Sequence, residues 1–188
     1  MTTWPGYQPL KRTLLATLTG QVLEIGAGKG ANLPLLPPAI DWIGLEPNPR
    51  ARRTLTQAVA AAPGTGARRV LDAHAESIPL PSASIDVVLS TAVLCSVDNV
   101  SAVLAEIGRV LRPGGRFVFL EHVAAPPGSA LRRVQRMIAP ISRVVDRGCD
   151  PGRDLAPEIE AAFADVDLTH YTAPGLLKIP FIAGTAHR

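Results

Sequence analysis

The sequence is poor in cysteine, lysine and aromatic residues. Cys95 and Cys149 are its only cysteines and stand more than fifty positions apart, which excludes a disulfide-stapled extracellular scaffold and favours a reducing, cytoplasmic setting. Three lysines accompany sixteen arginines, and the net charge is only +3 at a pI of 9.2. Arginine-rich composition accounts for that pI without a polyanionic ligand, so no nucleic-acid partner is expected. No uncharged apolar run approaches the roughly 18 residues that span a bilayer, and Met1 to Gly20 lacks the apolar block and cleavage site of a secretory signal. Stable membrane insertion is therefore not expected. Internal repeats and low-complexity linkers are missing too, so 188 residues with 47% apolar content read as one domain that buries roughly 70% of its unfolded surface.

Strand and helix signals alternate from residue 21 to residue 120. Gln21–Ile25 is a short β-branched run ending in the cluster Gly26-Ala27-Gly28-Lys29-Gly30, a buried strand feeding a turn. Asp41–Leu45 is a second strand, closed by Glu46 and a Pro47-Asn48-Pro49 turn. Ala51 to Ala62 reads as a helix, Arg69 to Ala73 as a weaker strand and Ile85 to Ser90 as a clear one. Val100 to Leu111 repeats Val, Leu and Ile at helical spacing until Arg112-Pro113-Gly114-Gly115 ends it, and Arg116 to Leu120 is the fifth strand. This alternation predicts a Rossmann-like, doubly wound α/β sheet with helices on both faces.

Beyond residue 120 the pattern changes. Leu131, Val134, Ile138, Ile141 and Val145 make one apolar helical face with arginines largely off it, and Pro140 is expected to break or kink that helix. Asp146 and Asp150 are placed to pair with neighbouring arginines. A short helix over Pro157 to Ala164 and two late strands, Asp165 to Tyr171 and Ile179 to Ala186, complete the chain.

In an open parallel sheet the ligand lies beyond the carboxyl ends of the strands. Glu46, eighteen residues past Gly28 at the tip of the second strand, is placed to accept hydrogen bonds from both hydroxyls of a ribose. The glycines alone fit either an S-adenosylmethionine loop or a dinucleotide fingerprint. Glu24 favours the former, because a carboxylate suits the ammonium of a methionine moiety and opposes a pyrophosphate. Arg109-Val110-Leu111-Arg112-Pro113-Gly114-Gly115, joining helix to strand, resembles the corresponding turn of class I S-adenosylmethionine-dependent methyltransferases. The resemblance covers residues 21 to 188 and implies a seven-stranded mixed sheet whose last strand is antiparallel. It implies S-adenosylmethionine as cofactor and S-adenosylhomocysteine as product. Gly26, Ala27 and Gly28 would lie against the methionine part above Glu24, Glu46 on the ribose and Pro47 on the adenine. His74, Ala75 and Glu76 would stand near the adenine amino group, His74 replacing the family's usual Asp. Thr91 and Ala92 would line the cleft where methyl group meets acceptor.

Gly30-Ala31-Asn32, the Pro-Asn-Pro turn, Leu94-Cys95-Ser96-Val97, Glu121-His122-Val123 and Gly148-Cys149 together resemble the thiol S-methyltransferases of mammals and their bacterial relatives. The implied substrate is a small thiol or hydrogen sulfide. Such a thiol, a few per cent ionised at neutral pH, needs only modest help from a base, and His122 is the candidate for it. Cys95 and Cys149 are candidates for the acceptor pocket, with a buried filler the plainer role for Cys95. Trp4 and Tyr7, in an N-terminal arm over residues 1–20, either face the sulfonium or simply dock the arm. Residues 126–157 occupy the place of a lid insertion, whose basic helix at 129–147 is alternatively a weak lipid contact.

Other chemistries fit less well. Ser90-Thr91-Ala92-Val93 lacks the Asn/Asp-Pro-Pro-Tyr of amino-group methylases, and neither cysteine follows a proline as in cytosine C5 enzymes. The four histidines show no ligand spacing, so no metal is expected. Two alternatives remain: a C- or N-methyltransferase acting on quinone- or lipid-type small molecules, and a non-catalytic S-adenosylmethionine-binding protein.

Overall fold

A computed structural model describes residues 4–145, 148–175 and 178–188. Its strands are β1 (Gln21–Ile25), β2 (Asp41–Leu45), β3 (Arg68–Leu71), β4 (Ile85–Thr91), β5 (Leu111–His122), β6 (Asp165–Thr172) and β7 (Pro180–His187). They form one sheet in the order β3-β2-β1-β4-β5-β7-β6. β7 runs antiparallel to both of its neighbours while the other pairs are parallel. This is the doubly wound seven-stranded sheet with an antiparallel last strand expected from the sequence. The chain leaves β1 toward β2 and β3, then returns to β4 on β1's other side, so the crevice at the topological switch lies between the ends of β1 and β4.

Both faces of the sheet are covered, which is why β1 is buried from Val22 to Ile25 rather than alternating. Leu23, Ile25, Ile43 and Leu45 pack toward α3 (Val100–Val110) and α5 (Leu155–Ala162) through Val103, Ile107, Leu155 and Ile159. Val22 and Trp42 pack the other way, with Leu15 of α1 (Tyr7–Leu15) and Leu55 of α2 (Pro49–Ala61). Each such side chain, fully buried, contributes about 1.5–3 kcal/mol.

The structure corrects several local expectations. Pro47-Asn48-Pro49 is more than a turn: Asn48 is the N-cap of α2, its side chain accepting from the backbone N–H groups of Arg50 and Ala51, with Pro49 at the first helical position. β5 begins at Leu111, before the Pro-Gly-Gly segment, and its pairing with β4 slips between Ile85↔Leu111 and Val87↔Arg116. A β-bulge therefore absorbs residues that the sequence suggested as a turn. The N-terminal arm contains α1, whose Leu10 and Leu15 are buried.

α4 (Ala130–Val145) departs furthest from expectation. It runs unbroken through Pro140, and its apolar stripe faces outward: Val134 is 39% exposed, Ile138 43%, Ile141 65% and Val145 75%. A polar tether sets this rotation. Gln135, buried, accepts from Ala125 N–H at 2.7 Å and donates to Val123 C=O at 3.3 Å, satisfying the backbone just past β5. Turning the stripe inward would strand those groups. Asp146, Arg147 and the side chain of Arg143 lie outside the described residues, the expected Asp146 ion pair with them. Among the described residues no helix is long and apolar enough to cross a membrane.

Candidate active site

A cleft of about 590 Å³ opens at the carboxyl ends of β1, β2 and β4, a size usual for small-molecule sites. Gly26 and Gly28 line it with φ of 58° and 59°. At Gly26 a Cβ would lie 2.6 Å from Val93, so the loop after β4 closes against bare backbone. At Gly28 the nearest atom would be 3.9 Å away, and there the left-handed backbone alone selects glycine.

Glu46 joins this loop to the next. Its Oε2 accepts from Gly28 N–H at 2.8 Å and its Oε1 from Asn48 N–H at 2.9 Å. An ionised carboxylate offers about four lone-pair sites, so two remain to accept from a vicinal diol. Arg52 braces the turn by donating to the carbonyls of Glu46 and Pro47, and pairs with Asp72 at 2.7 Å.

Of the other residues expected here, Pro47, His74, Ala75, Glu76 and Ala92 line the cleft. His74 is exposed and Ala75 buried. Glu76 Oε1 accepts from Asp98 N–H at 2.9 Å, tying the loop after β3 to the start of α3. Ala92 holds φ of 55°, a strained state for a residue with a Cβ and one that clusters at binding sites. Asn48, Ser96, Val97 and Asp98 also line the wall. The sequence reading gave them no part because they become neighbours only when the loops after β2 and β4 meet.

Glu24, Ala27 and Thr91 do not line the cleft. Glu24 is buried behind it, accepting from Trp42 Nε1 and Asn32 Nδ2, each at 2.9 Å, and Asn32 Nδ2 donates also to Thr91 Oγ1. Gly44 lacks a Cβ where the Trp42 ring must lie, which frees the indole to reach Glu24. Burial pushes the Glu24 carboxyl up to about 7, against the opposing pull of those hydrogen bonds and of Lys11. Burial in turn lowers the Lys11 ammonium. Asn32 Oδ1 is buried and has no hydrogen-bond partner among the described residues. A carboxylate beside an unanswered acceptor suits a cationic amine.

Cys95, His122 and Cys149 do not line the cleft either; they form a cluster behind Ser96 and Gly148 of its wall, built from three separate segments. Cys95 follows β4, His122 ends β5, and Cys149 precedes α5. Cys149 Sγ lies 3.2 Å from His122 Nε2. Glu121, fully buried, accepts from Ser90 Oγ at 2.6 Å, from Val93 N–H at 2.9 Å and from Leu94 N–H at 3.2 Å, which fixes the loop carrying Cys95. Burial pushes Glu121 up to about 7 despite these bonds, and burial likewise raises the Cys95 thiol well above its ordinary range. Gly148, with φ of 92°, lies so close to Ser96 that a Cβ would stand 2.9 Å from its carbonyl oxygen. Asp150 N–H donates to Cys95 C=O and Arg153 to Leu94 C=O, both at 2.9 Å, completing the suture.

Trp4 and Tyr7 belong to this end, not to the cleft wall. Trp4 stacks on Phe181 with centroids 5.1 Å apart and meets Tyr171 edge-on, while Tyr7 tilts against Phe181. Burial first, then the charges of Glu121 and Cys95, push the Tyr7 phenol up to about 12. The arm thus docks on β6 and β7 and brings a neutral hydroxyl-bearing ring near Cys95.

A Rossmann-like sheet in this strand order, with a glycine loop after β1 and an acid at the tip of β2, defines a class of nucleoside-binding transferase folds. The methyltransferase domain family matches residues 23–119, and the chain belongs to that family. It is 37% identical over 155 residues, 81% of its length, to thiol S-methyltransferase TMT1B of Rattus norvegicus. The match to thiol S-methyltransferase TMT1A of Homo sapiens is 36% over the same span. The chain spans 64% of the length of each of these relatives. A crystal structure of a putative methyltransferase from Bacillus halodurans superposes with a TM-score of 0.75 at 14% identity, covering 97% of this chain and 99% of that one. At that identity the likeness establishes the fold.

Proposed function

We propose that this protein transfers the methyl group of S-adenosylmethionine to a small thiol, hydrogen sulfide included. The observation that carries the reading is Glu46, a buried acid at the tip of β2 with two lone-pair sites to spare beside a left-handed glycine loop. The thiol S-methyltransferase activity named for the mammalian relatives selects the acceptor. When bound, S-adenosylmethionine supplies an activated methyl group on a sulfonium, so the chain's own work is binding, alignment and exclusion of water.

In this reading Glu46 accepts from the ribose hydroxyls. Gly26 and Gly28 let the amino-acid tail pass close to backbone with Ala27 beside it, Glu24 and Asn32 Oδ1 answer its ammonium, and Pro47, His74, Ala75 and Glu76 flank the adenine. Thr91, through Asn32, and Ala92 shape the passage to the acceptor end. His122 receives the proton of the incoming thiol, Cys95 and Cys149 border its pocket, and Tyr7 and Trp4 close the arm side. Residues 126–157 cap that end, held by the Gln135 tether.

The test is methyl transfer from S-adenosylmethionine to 2-mercaptoethanol and hydrogen sulfide, set against a quinone precursor and phosphatidylethanolamine. Methylated thiol is the expected product. Turnover on the quinone or lipid alone would overturn the choice of acceptor, and calorimetric binding without any product would make the chain a non-catalytic binder.

A further inference from the structure

Two cysteines and a histidine, remote in sequence, converge at the acceptor end. The ligand atoms of Cys95, His122 and Cys149 all lie within 4.8 Å of one another. We propose that Cys95 Sγ, Cys149 Sγ and the His122 imidazole bind one zinc-class divalent ion, whose fourth tetrahedral position takes the sulfur of the methyl acceptor. Binding of the ion stands on the cluster alone; the role of the fourth position rests on the thiol reading above.

The distances fit. Zinc bonds of about 2.3 Å to sulfur and about 2.0 Å to nitrogen place neighbouring tetrahedral donors roughly 3.5 to 3.8 Å apart. The observed 3.2 Å between Cys149 Sγ and His122 Nε2 and the 4.8 Å limit on the whole set bracket that value, so small side-chain rotations close the site. The backbones beneath are already held. Glu121 anchors the loop before Cys95, Asp150 N–H ties the Cys149 segment to Cys95 C=O, and His122 is paired with Phe181 in the β5–β7 ladder. Two thiolates and an imidazole are soft to borderline ligands, which favours zinc over magnesium or calcium.

Three protein ligands and one open position are the pattern of a catalytic rather than a structural zinc site. Loading the site releases one proton from each cysteine. With the ion bound, His122 serves as a ligand in place of a base, and the acceptor thiol binds as thiolate and releases its own proton to solvent, since a coordinated thiol is deprotonated outright. In the transfer, a lone pair on that sulfur forms the new bond to the methyl carbon. The methyl carbon's bond to the sulfonium sulfur breaks, and its electron pair stays on the leaving sulfur. An alkyl thiol gives two thioethers, hydrogen sulfide gives methanethiol and one thioether, and no oxidant takes part. A thioether binds more weakly than a thiolate, so a methylated alkyl thiol leaves, whereas methanethiol leaves on reprotonation.

The full chain, purified under reducing conditions without chelator, is expected to retain about one zinc per chain by elemental analysis. After stripping with a chelator it is expected to take up one equivalent of cobalt(II), with thiolate-to-metal charge-transfer absorption and tetrahedral d–d bands. Cys149→Ser and Cys95→Ser should each diminish the charge-transfer band with circular dichroism unchanged. Because the unaltered protein is itself titrated, misfolding of a variant leaves the test intact. Failure to take up zinc or cobalt under reduction, or isolation only as a Cys95–Cys149 disulfide, overturns the site. Adding 2-mercaptoethanol to the cobalt form should shift the d–d bands; an unchanged spectrum while methylated thiol still forms overturns the fourth-position role. Metal uptake without any thiol methylation leaves the site standing and defeats the thiol reading instead.

Discussion

The cleft and the cysteine–histidine cluster beside it, proposed as the nucleoside and acceptor ends of one site, are made differently. At the nucleoside end, short contiguous stretches follow β1 and β2, and backbone groups do the joining: Gly28 N–H and Asn48 N–H both converge on one carboxylate. At the acceptor end, residues from three distant segments meet, and tertiary contacts hold them: buried Glu121 on the loop after β4, Arg153 on Leu94, the bare backbone of Gly148 against Ser96. The first design is local and reads out of sequence. The second depends on tertiary closure, and it is where substrate choice among related folds can vary without disturbing cofactor binding.

The sharpest way to break this division is at Glu46. Glu46→Ala removes two acceptors for a diol as well as the ties to Gly28 and Asn48. With charge-assisted hydrogen bonds at about 1.5–3 kcal/mol each, affinity for S-adenosylhomocysteine is expected to fall by about 100-fold or more in calorimetry. An affinity within threefold of the parent protein would mean that the nucleoside sits elsewhere.

Next comes Gly148→Ala, at the point where the cleft wall meets the cysteine–histidine cluster. A Cβ at φ of 92° and 2.9 Å from Ser96 O strains the backbone by about 1–3 kcal/mol and pushes Cys149 away from His122. The expected result is a lower Tm and a raised KM for thiol, with a smaller loss of cofactor affinity. Equal losses in both affinities would show that the ends are not separable.

A pH series divides the two ends by their buried acids. Glu24 and Glu121 both titrate in the folded protein near 7 instead of the usual 4.5, chiefly through burial. Their folded-state values are raised, so the folded state holds protons more tightly. The stability this confers is full below the unfolded value and is lost as pH rises through the folded one. The ligand-free protein is therefore expected to melt at a lower temperature at about pH 8 than at about pH 5.5, and Glu24→Gln should flatten part of that slope. If Glu24 answers a cofactor ammonium, binding near pH 6 should release protons, measurable by calorimetry in buffers of different ionisation enthalpy. Glu24→Gln should abolish that release.

What the sequence could disclose follows the same boundary. The strand–helix alternation, Gly26, Gly28 and Glu46 were legible because each signal occupies a few adjacent residues. Glu24 was recognised, but not the Trp42 and Asn32 side chains that hold it behind the cleft wall. That partnership requires the bare face of Gly44, a cross-strand packing fact with no local signature. Cys95, His122 and Cys149 were each singled out, yet with His122 and Cys149 27 positions apart no ligand spacing could be read, and only the closure of the segment before α5 unites them.

α4 offers the smallest expected effect and the finest discrimination. Its apolar stripe read as the face of a lid or of a lipid contact, and Ile138 and Ile141 stand out in solvent beside Met137 while Gln135 and Ala139 face the protein. Met137→Ser with Ile141→Ser should thus change stability by under about 0.5 kcal/mol, as for other surface substitutions, whereas Gln135→Ala should cost about 1–3 kcal/mol by stranding Ala125 N–H and Val123 C=O. A Tm loss of several degrees from the outward pair would mean that the stripe is covered in solution, by the rest of the acceptor end or by a second surface. If Gln135→Ala also raises the thiol KM while leaving cofactor affinity alone, α4 belongs to the acceptor end in function as well as in position, because its buried polar anchor lies just past His122 on the exit of β5.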